Sequence, residues 1–90
     1  MNIFLNETAY NLIKGRGVCS PASVMEALGN EYQLRRPIHN RANPGQLVKL
    51  DLVDDGEERL KHFAITEYPQ PMTVSDYVSR KIVDYFGGEK

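Results

Sequence analysis

The phrases SPASVMEALG (residues 20–29), QLRRPIHNRAN (33–43), GQLVKLDLV (45–53), DDGEE (54–58) and RLKHFAIT (59–66) run through the middle of the chain, and their reading decides the fold. Ser20-Pro21 is a helix start: the serine can accept from an orphan backbone N–H, and a proline in the first helical position has no N–H to leave unpaired. The helix it opens runs to about Leu28, with Val24, Ala27 and Leu28 on one face, Met25 at its edge and Gly29-Asn30 as its stop. Pro37 restricts the next segment, because a proline deep inside a helix removes a hydrogen bond and clashes with the preceding turn. A helix starting near Gln33 or Leu34 keeps Pro37 in its first turn. It then places Leu34, Ile38 and Ala42 on one face and Gln33, Arg36, Asn40 and Asn43, flanked by His39, on the other. Pro44-Gly45 closes it.

Residues 47–53 alternate, with Val48, Leu50 and Leu52 to one side and Lys49 and Asp51 to the other, which predicts a half-buried strand. Residues 60–66 read the same way with Phe63 and Ile65 inward. The Asp54-Asp55-Gly56-Glu57-Glu58 turn between them makes a hairpin. On the N-terminal side, Leu5, Ala9, Leu12 and Ile13 have helical spacing and predict a first helix over 3–14, stopped at Gly15 and followed by the turn Gly15-Arg16-Gly17. On the C-terminal side, Tyr68-Pro69-Gln70-Pro71 reads as a stiff extended linker. A last helix, capped by Thr73 or Ser75, then runs to about Phe86 with Val74, Tyr77, Val78, Ile82 and Tyr85 as its apolar stripe. The tail 87–90 is expected to fray.

A chain of 90 residues holds one small core, which argues against a deep enzyme pocket. Cys19 is the only cysteine, so no intrachain disulfide forms, and no Cys/His spacing resembles a zinc site. A reducing, cytoplasmic setting fits. No apolar run approaches the roughly 20 residues of a membrane span, and the first residues lack the basic region of a signal peptide. The net charge of −1 conceals a polarity: residues 14–49 hold Lys14, Arg16, Arg35, Arg36, Arg41 and Lys49 against Glu26 and Glu31, whereas residues 50–90 are acidic. A basic half suits phosphate and an acidic half suits a protein.

A capped helix, a short break, a basic segment and a hairpin, in that order, resemble the winged helix-turn-helix family of bacterial regulators and small phage- or plasmid-encoded proteins. The resemblance covers about half of the chain. It rests on the Ser20-Pro21 start, Gly45-Gln46-Leu47-Val48 after the third helix, and Phe63-Ala64-Ile65-Thr66 at the end of the hairpin. It implies an α+β fold of three helices and a two-stranded wing over residues 1–68, with a linker and an extra C-terminal helix over 69–90 in a single domain.

The resemblance also implies a small sequence-specific DNA-binding protein, a transcription or replication regulator of phage or mobile-element type. In that family the third helix enters the major groove. Carried onto this chain, Gln33, Arg36, Asn40 and Asn43 would read bases, since Arg pairs with guanine and Asn or Gln with adenine. Arg35, His39, Arg41, Lys14, Arg16, Ser20 and Lys49 would hold phosphates, and Arg59 and Lys61 would offset the wing's four carboxylates. That acidic wing departs from the family pattern. It makes a homodimer the expected binding form, with Val74, Tyr77, Val78, Ile82 and Tyr85 either at its interface or completing the core of one chain. The alternative partner is a host protein, met through the acidic wing and the last helix by an adaptor or inhibitor.

Other readings of single residues stay beside these. Arg35, Arg36 and Arg41 also suit an ordinary solvated face. Cys19 suits a small buried position beneath the second helix. His39 and His62 have no nucleophile or carboxylate partner at motif spacing, and the acidic run 54–58 lacks the spacing of a calcium loop. No enzymatic activity, cofactor or metal is expected.

Overall fold

The computed structural model describes residues 2–14, 20–29, 32–33 and 46–87. It is an α+β fold in the order β1 (Asn2–Phe4), α1 (Glu7–Ile13), α2 (Ser20–Ala27), β2 (Leu47–Lys49), α3 (Gly56–Thr66) and α4 (Val74–Ile82), the last continuing into a π-helical turn, Val83–Gly87. The Gly15 stop and the turn after it, Cys19, the third helix with Pro44-Gly45, and the tail beyond Gly87 lie outside the described residues.

The sheet is the first departure from expectation. Residues 2–4 form a strand rather than the start of a helix, and β1 pairs antiparallel with β2 in the register Asn2↔Lys49, Ile3↔Val48, Phe4↔Leu47. Ile3 and Leu5 alternate into the core, and Asn6 then starts α1 by accepting from the Ala9 N–H at 2.8 Å. Pairing continues past the strands, with the Leu5 N–H donating to the Gln46 carbonyl at 3.0 Å and the Gln46 side-chain amide donating to the Leu5 carbonyl at 2.9 Å. Val48, Leu50 and Leu52 are buried while Lys49 and Asp51 are exposed, as the alternation requires.

The second departure removes the wing. Residues 56–66 are helix α3, so no hairpin joins 47–53 to 60–66, and β2 finds its partner at the N-terminus instead. Two features of the segment favour helix. Glu57, Glu58, Arg59, Leu60 and Lys61 are helix formers with both acids in the first turn, where the helix dipole favours them. Leu60 and Ala64, four residues apart, both face the core, whereas Ile65, expected inward, is 56% exposed. Asp54 takes a left-handed conformation with φ 53° just before α3. Gly56 lets α3 start close against the preceding residues, since a Cβ there would come within 3.0 Å of the Leu52 Cβ, tighter than ordinary van der Waals contact.

α2 begins at Ser20, buries Val24, Met25, Ala27 and Leu28, and ends where Gly29 turns left-handed at φ 82°. α4 is capped by Thr73, whose hydroxyl accepts from the Asp76 N–H at 3.1 Å. This helix is the centre of the fold, packing against β1, α1, α2 and α3. It also covers the outer edge of β1: the N–H groups of Phe4 and Asn6, which point away from β2, donate to the hydroxyls of Ser75 and Ser79, each at 3.0 Å. Two serines one turn apart thus satisfy the edge that would otherwise invite another strand. The connection before α4 folds back on α3, with the Met72 N–H donating to the Ala64 carbonyl at 2.9 Å.

The apolar stripe of α4 therefore belongs mainly to the chain's own core. Tyr77, Val78 and Ile82 are at most 3% exposed. Of the two readings open for the stripe, dimer interface or core of one chain, these three side chains take the second. Val74 is half-buried, and Tyr85 remains exposed with its hydroxyl donating to Glu26 Oε2 at 2.9 Å.

Candidate nucleic-acid interface

Between Gln33 and Gln46 the sequence places Arg35, Arg36, His39, Asn40, Arg41 and Asn43 without one carboxylate. Of the expected base readers, Gln33 is described and exposed; Arg36, Asn40 and Asn43 lie outside the described residues, as do Arg35, His39, Arg41 and Arg16. The two ends of this run are tied to the framework. The Gln33 carbonyl accepts from the Val53 N–H at 3.0 Å, and Gln46 is bonded to Leu5 through both backbone and side chain. Burial of Tyr32 beside Gln33 and of Val48 beyond Gln46 fixes the same two points.

The remaining expected contacts are scattered. Lys14 caps the end of α1 with its ammonium 5.7 Å above the Tyr10 ring, Lys49 stands exposed on the outer face of the sheet, and Ser20 begins α2. With no wing, Arg59 and Lys61 are residues of α3. Lys61 lies 4.0 Å from Glu57, one turn earlier, while the Arg59 guanidinium sits 5.0 Å over the Tyr32 ring. Arg59 thus lies beside Tyr32, the residue before Gln33, where the basic run starts.

Sequence reasoning missed a polar cluster joining α3 to α4. The Tyr77 hydroxyl donates to Glu67 Oε1, and Lys81 Nζ donates to Glu67 Oε2 at 2.8 Å. These two donors, Lys81 foremost, hold the Glu67 carboxyl below its ordinary value; burial and the bond to Glu67 push the Tyr77 hydroxyl up. Next to them the Tyr68 hydroxyl donates to Asp84 Oδ2 at 2.9 Å, and Arg80 Nε donates to Asp84 Oδ1 at 3.3 Å. Burial first, and Asp84 second, push Tyr68 up to about 12. The i, i+4 spacing of Tyr77 with Lys81 and of Arg80 with Asp84 was visible in the sequence; their meeting with Glu67 and Tyr68 depends on the 67–73 connection.

Two recesses accompany this cluster. The smaller, about 320 Å³, is lined by Leu28, Tyr32, Phe63, Glu67, Tyr77 and Lys81. The larger, about 500 Å³, is an open groove between Asn6, the 70–73 connection and the Asp76 to Val83 side of α4. His62 is exposed with its ring edge-on to Phe63 at 5.8 Å. Among the described residues no group of His, Cys, Asp and Glu is arranged to hold a metal ion, and no helix is long and apolar enough to cross a membrane.

Comparison with models of known protein families, with curated protein sequences and with solved structures finds no match to this chain.

Proposed function

We propose that this protein binds nucleic acid, as a small sequence-specific DNA-binding regulator, through the basic run between Gln33 and Gln46. The observation that carries the reading is a stretch with three arginines, a histidine and no carboxylate, held at both ends by backbone hydrogen bonds to the core. Tying down the ends reduces the ordering entropy that a free basic tail loses on meeting phosphate. Gln33, Arg36, Asn40 and Asn43 supply the side chains that distinguish bases, and Arg35, His39 and Arg41 supply backbone contacts. The helix-turn-helix half of a winged helix, α1 and α2 leading into this run, remains part of the proposal. The wing does not, and neither does a dimer built on the buried face of α4.

The acidic segment 54–58 lies beside the start of the basic run, where the Val53 N–H donates to the Gln33 carbonyl, and the Arg59 guanidinium over the Tyr32 ring is a cation at the same place. Glu57 lies beside Lys61, and Glu67 and Asp84 are engaged by Lys81 and Arg80. The test is selection from a random duplex pool, with affinity then measured across salt. Neutralising about four phosphates gives a log–log slope near −3.6, so affinity falls about a hundred-fold between about 50 and 200 mM salt. Arg36→Ala and Asn40→Ala should weaken selected sites and leave thermal stability unchanged. Salt-independent binding, or no enrichment of any sequence, refutes the reading.

A further inference from the structure

Thr73, Asp76, Arg80 and Val83 lie three or four residues apart and so form one stripe along the open side of α4. The stripe lines the larger groove, about 500 Å³, whose other sides are Asn6 and the 70–72 connection. The rest of the helix is committed to the fold: Tyr77, Val78 and Ile82 are buried, and Ser75 and Ser79 are bonded to the edge of β1. On the stripe, Thr73, Asp76 and Arg80 are exposed and Val83 is half-buried.

The charges on the stripe are ordered. Asp76 lies in the first turn of α4 and Arg80 follows one turn later, about 6 Å along the axis. Asp76 has no ion-pair partner among the described residues. Arg80 donates through Nε to Asp84 and lies 5.0 Å over the Tyr68 ring, yet its side chain stays 52% exposed, and Asp84 takes one of five guanidinium donors. A lone anion in the groove meets Asp76, and a lone cation meets Arg80. An acid and a base at this spacing are matched by a base and an acid in reverse order. The same stripe turned end for end supplies that match.

We infer that a second copy of this chain docks on the open side of α4, with the two α4 helices antiparallel across a twofold axis. Each Asp76 then faces the partner's Arg80, and the register puts Val83 opposite the partner's Thr73 and Met72. Each helix start also lies beside the other's end, where opposite partial charges meet. The contact is smaller than the roughly 20–30 residues a side of a standard interface, so the dimer is weak. It uses none of the buried face of α4 and leaves each core intact.

Sedimentation of the full chain without nucleic acid, from about 10 µM to about 1 mM, measures the association. The wild type should pass from monomer to dimer within this range, and added salt should favour the monomer. Asp76→Arg and Arg80→Asp each turn two attractions into two repulsions, and each should weaken association about ten-fold or more. Mixed in equal amounts, the two variants should form the dimer that neither forms alone, because one copy then presents two bases and the other two acids. Circular dichroism checks that each variant is folded. Should Arg80→Asp fail to fold, loss of the dimer in Asp76→Arg and its retention in Asp76→Glu carry the test. A wild type that stays monomeric at about 1 mM, or a dimer that neither reversal weakens, overturns the inference. Both results leave the nucleic-acid reading standing, since no nucleic acid is present.

Discussion

Two serines buried to the same extent should respond to the same substitution with opposite signs. Ser79 on α4 is 1% exposed and its hydroxyl accepts the Asn6 N–H at 3.0 Å; Ser23 on α2 is 0% exposed and its hydroxyl has no partner among the described residues. Ser79→Ala strands a part-buried amide at the start of α1, which costs about 1–3 kcal/mol. Alanine's better helix propensity returns about 0.5 kcal/mol, so the net loss is roughly 0.5–2.5 kcal/mol. At Ser23 both contributions favour alanine: about 0.5 kcal/mol from propensity, plus relief of an unpaired buried hydroxyl worth roughly 1–3 kcal/mol. The two variants should therefore differ by at least about 2 kcal/mol. That separates their melting temperatures by roughly 8–16 °C in a domain of this size. Thermal and urea unfolding monitored by circular dichroism measure the gap, and amide exchange at Asn6 reports whether the lost bond is the cause. A Ser79→Ala protein as stable as the wild type refutes the edge-capping role of α4. A Ser23→Ala protein less stable by about 1 kcal/mol or more refutes the unpaired hydroxyl.

The same packing and charge arrangement sets three further outcomes. Ile65→Ala should change stability by less than about 0.5 kcal/mol because the side chain faces solvent, whereas Leu60→Ala should cost about 2–5 kcal/mol because Leu60 is fully buried; urea unfolding decides, and a large loss at Ile65 would restore the hairpin. Glu67 has a folded-state pKa below its ordinary 4.5, so its contribution is complete above that value and is lost as pH falls through the folded pKa; Glu67→Gln should flatten the acid limb of a stability–pH curve, and parallel limbs would contradict the Lys81 and Tyr77 bonds. Arg35→Ala and Arg41→Ala should each reduce the salt slope of DNA affinity by about one unit, and an unchanged slope at both would remove them from the phosphate contacts.

How much of this fold was legible depends on whether local and distant signals agreed. α2 was readable because Ser20-Pro21, the Val24-Ala27-Leu28 face and Gly29 are all local and all point the same way. The inward side of residues 48–52 was readable because a period of two has one interpretation. At the N-terminus two patterns overlapped: Leu5, Ala9, Leu12 and Ile13 have helical spacing, whereas Ile3 and Leu5 alternate. Asn6 was the deciding signal, since an N-cap there excludes a helix over residues 3–5. The partner of β2 lies more than 40 residues away and leaves no local trace in one sequence.

Residues 56–66 show why apolar spacing suggests a wing that the chain does not form. Phe63 and Ile65 alternate, while Leu60 and Ala64 are a helical turn apart, so apolar periodicity alone fits either structure. The polar residues break the tie. Glu57, Glu58, Arg59 and Lys61 favour helix, and Glu57 with Lys61 makes an i, i+4 pair in the preferred orientation. Taking α3 as a helix also explains what the hairpin could not. One turn of helix separates Leu60 from Phe63 and Ala64, so α3 can bury Leu60 and Ala64 while placing Phe63 beside Tyr32 and Tyr77. Glu67 then falls just past its end, within reach of Lys81. The recess and its donor–acceptor pair are therefore consequences of the helix that stands in place of the wing. In an extended strand, Phe63 and Glu67 would be separated by about 13 Å rather than the roughly 6 Å of one helical turn, and could not line the same small pocket.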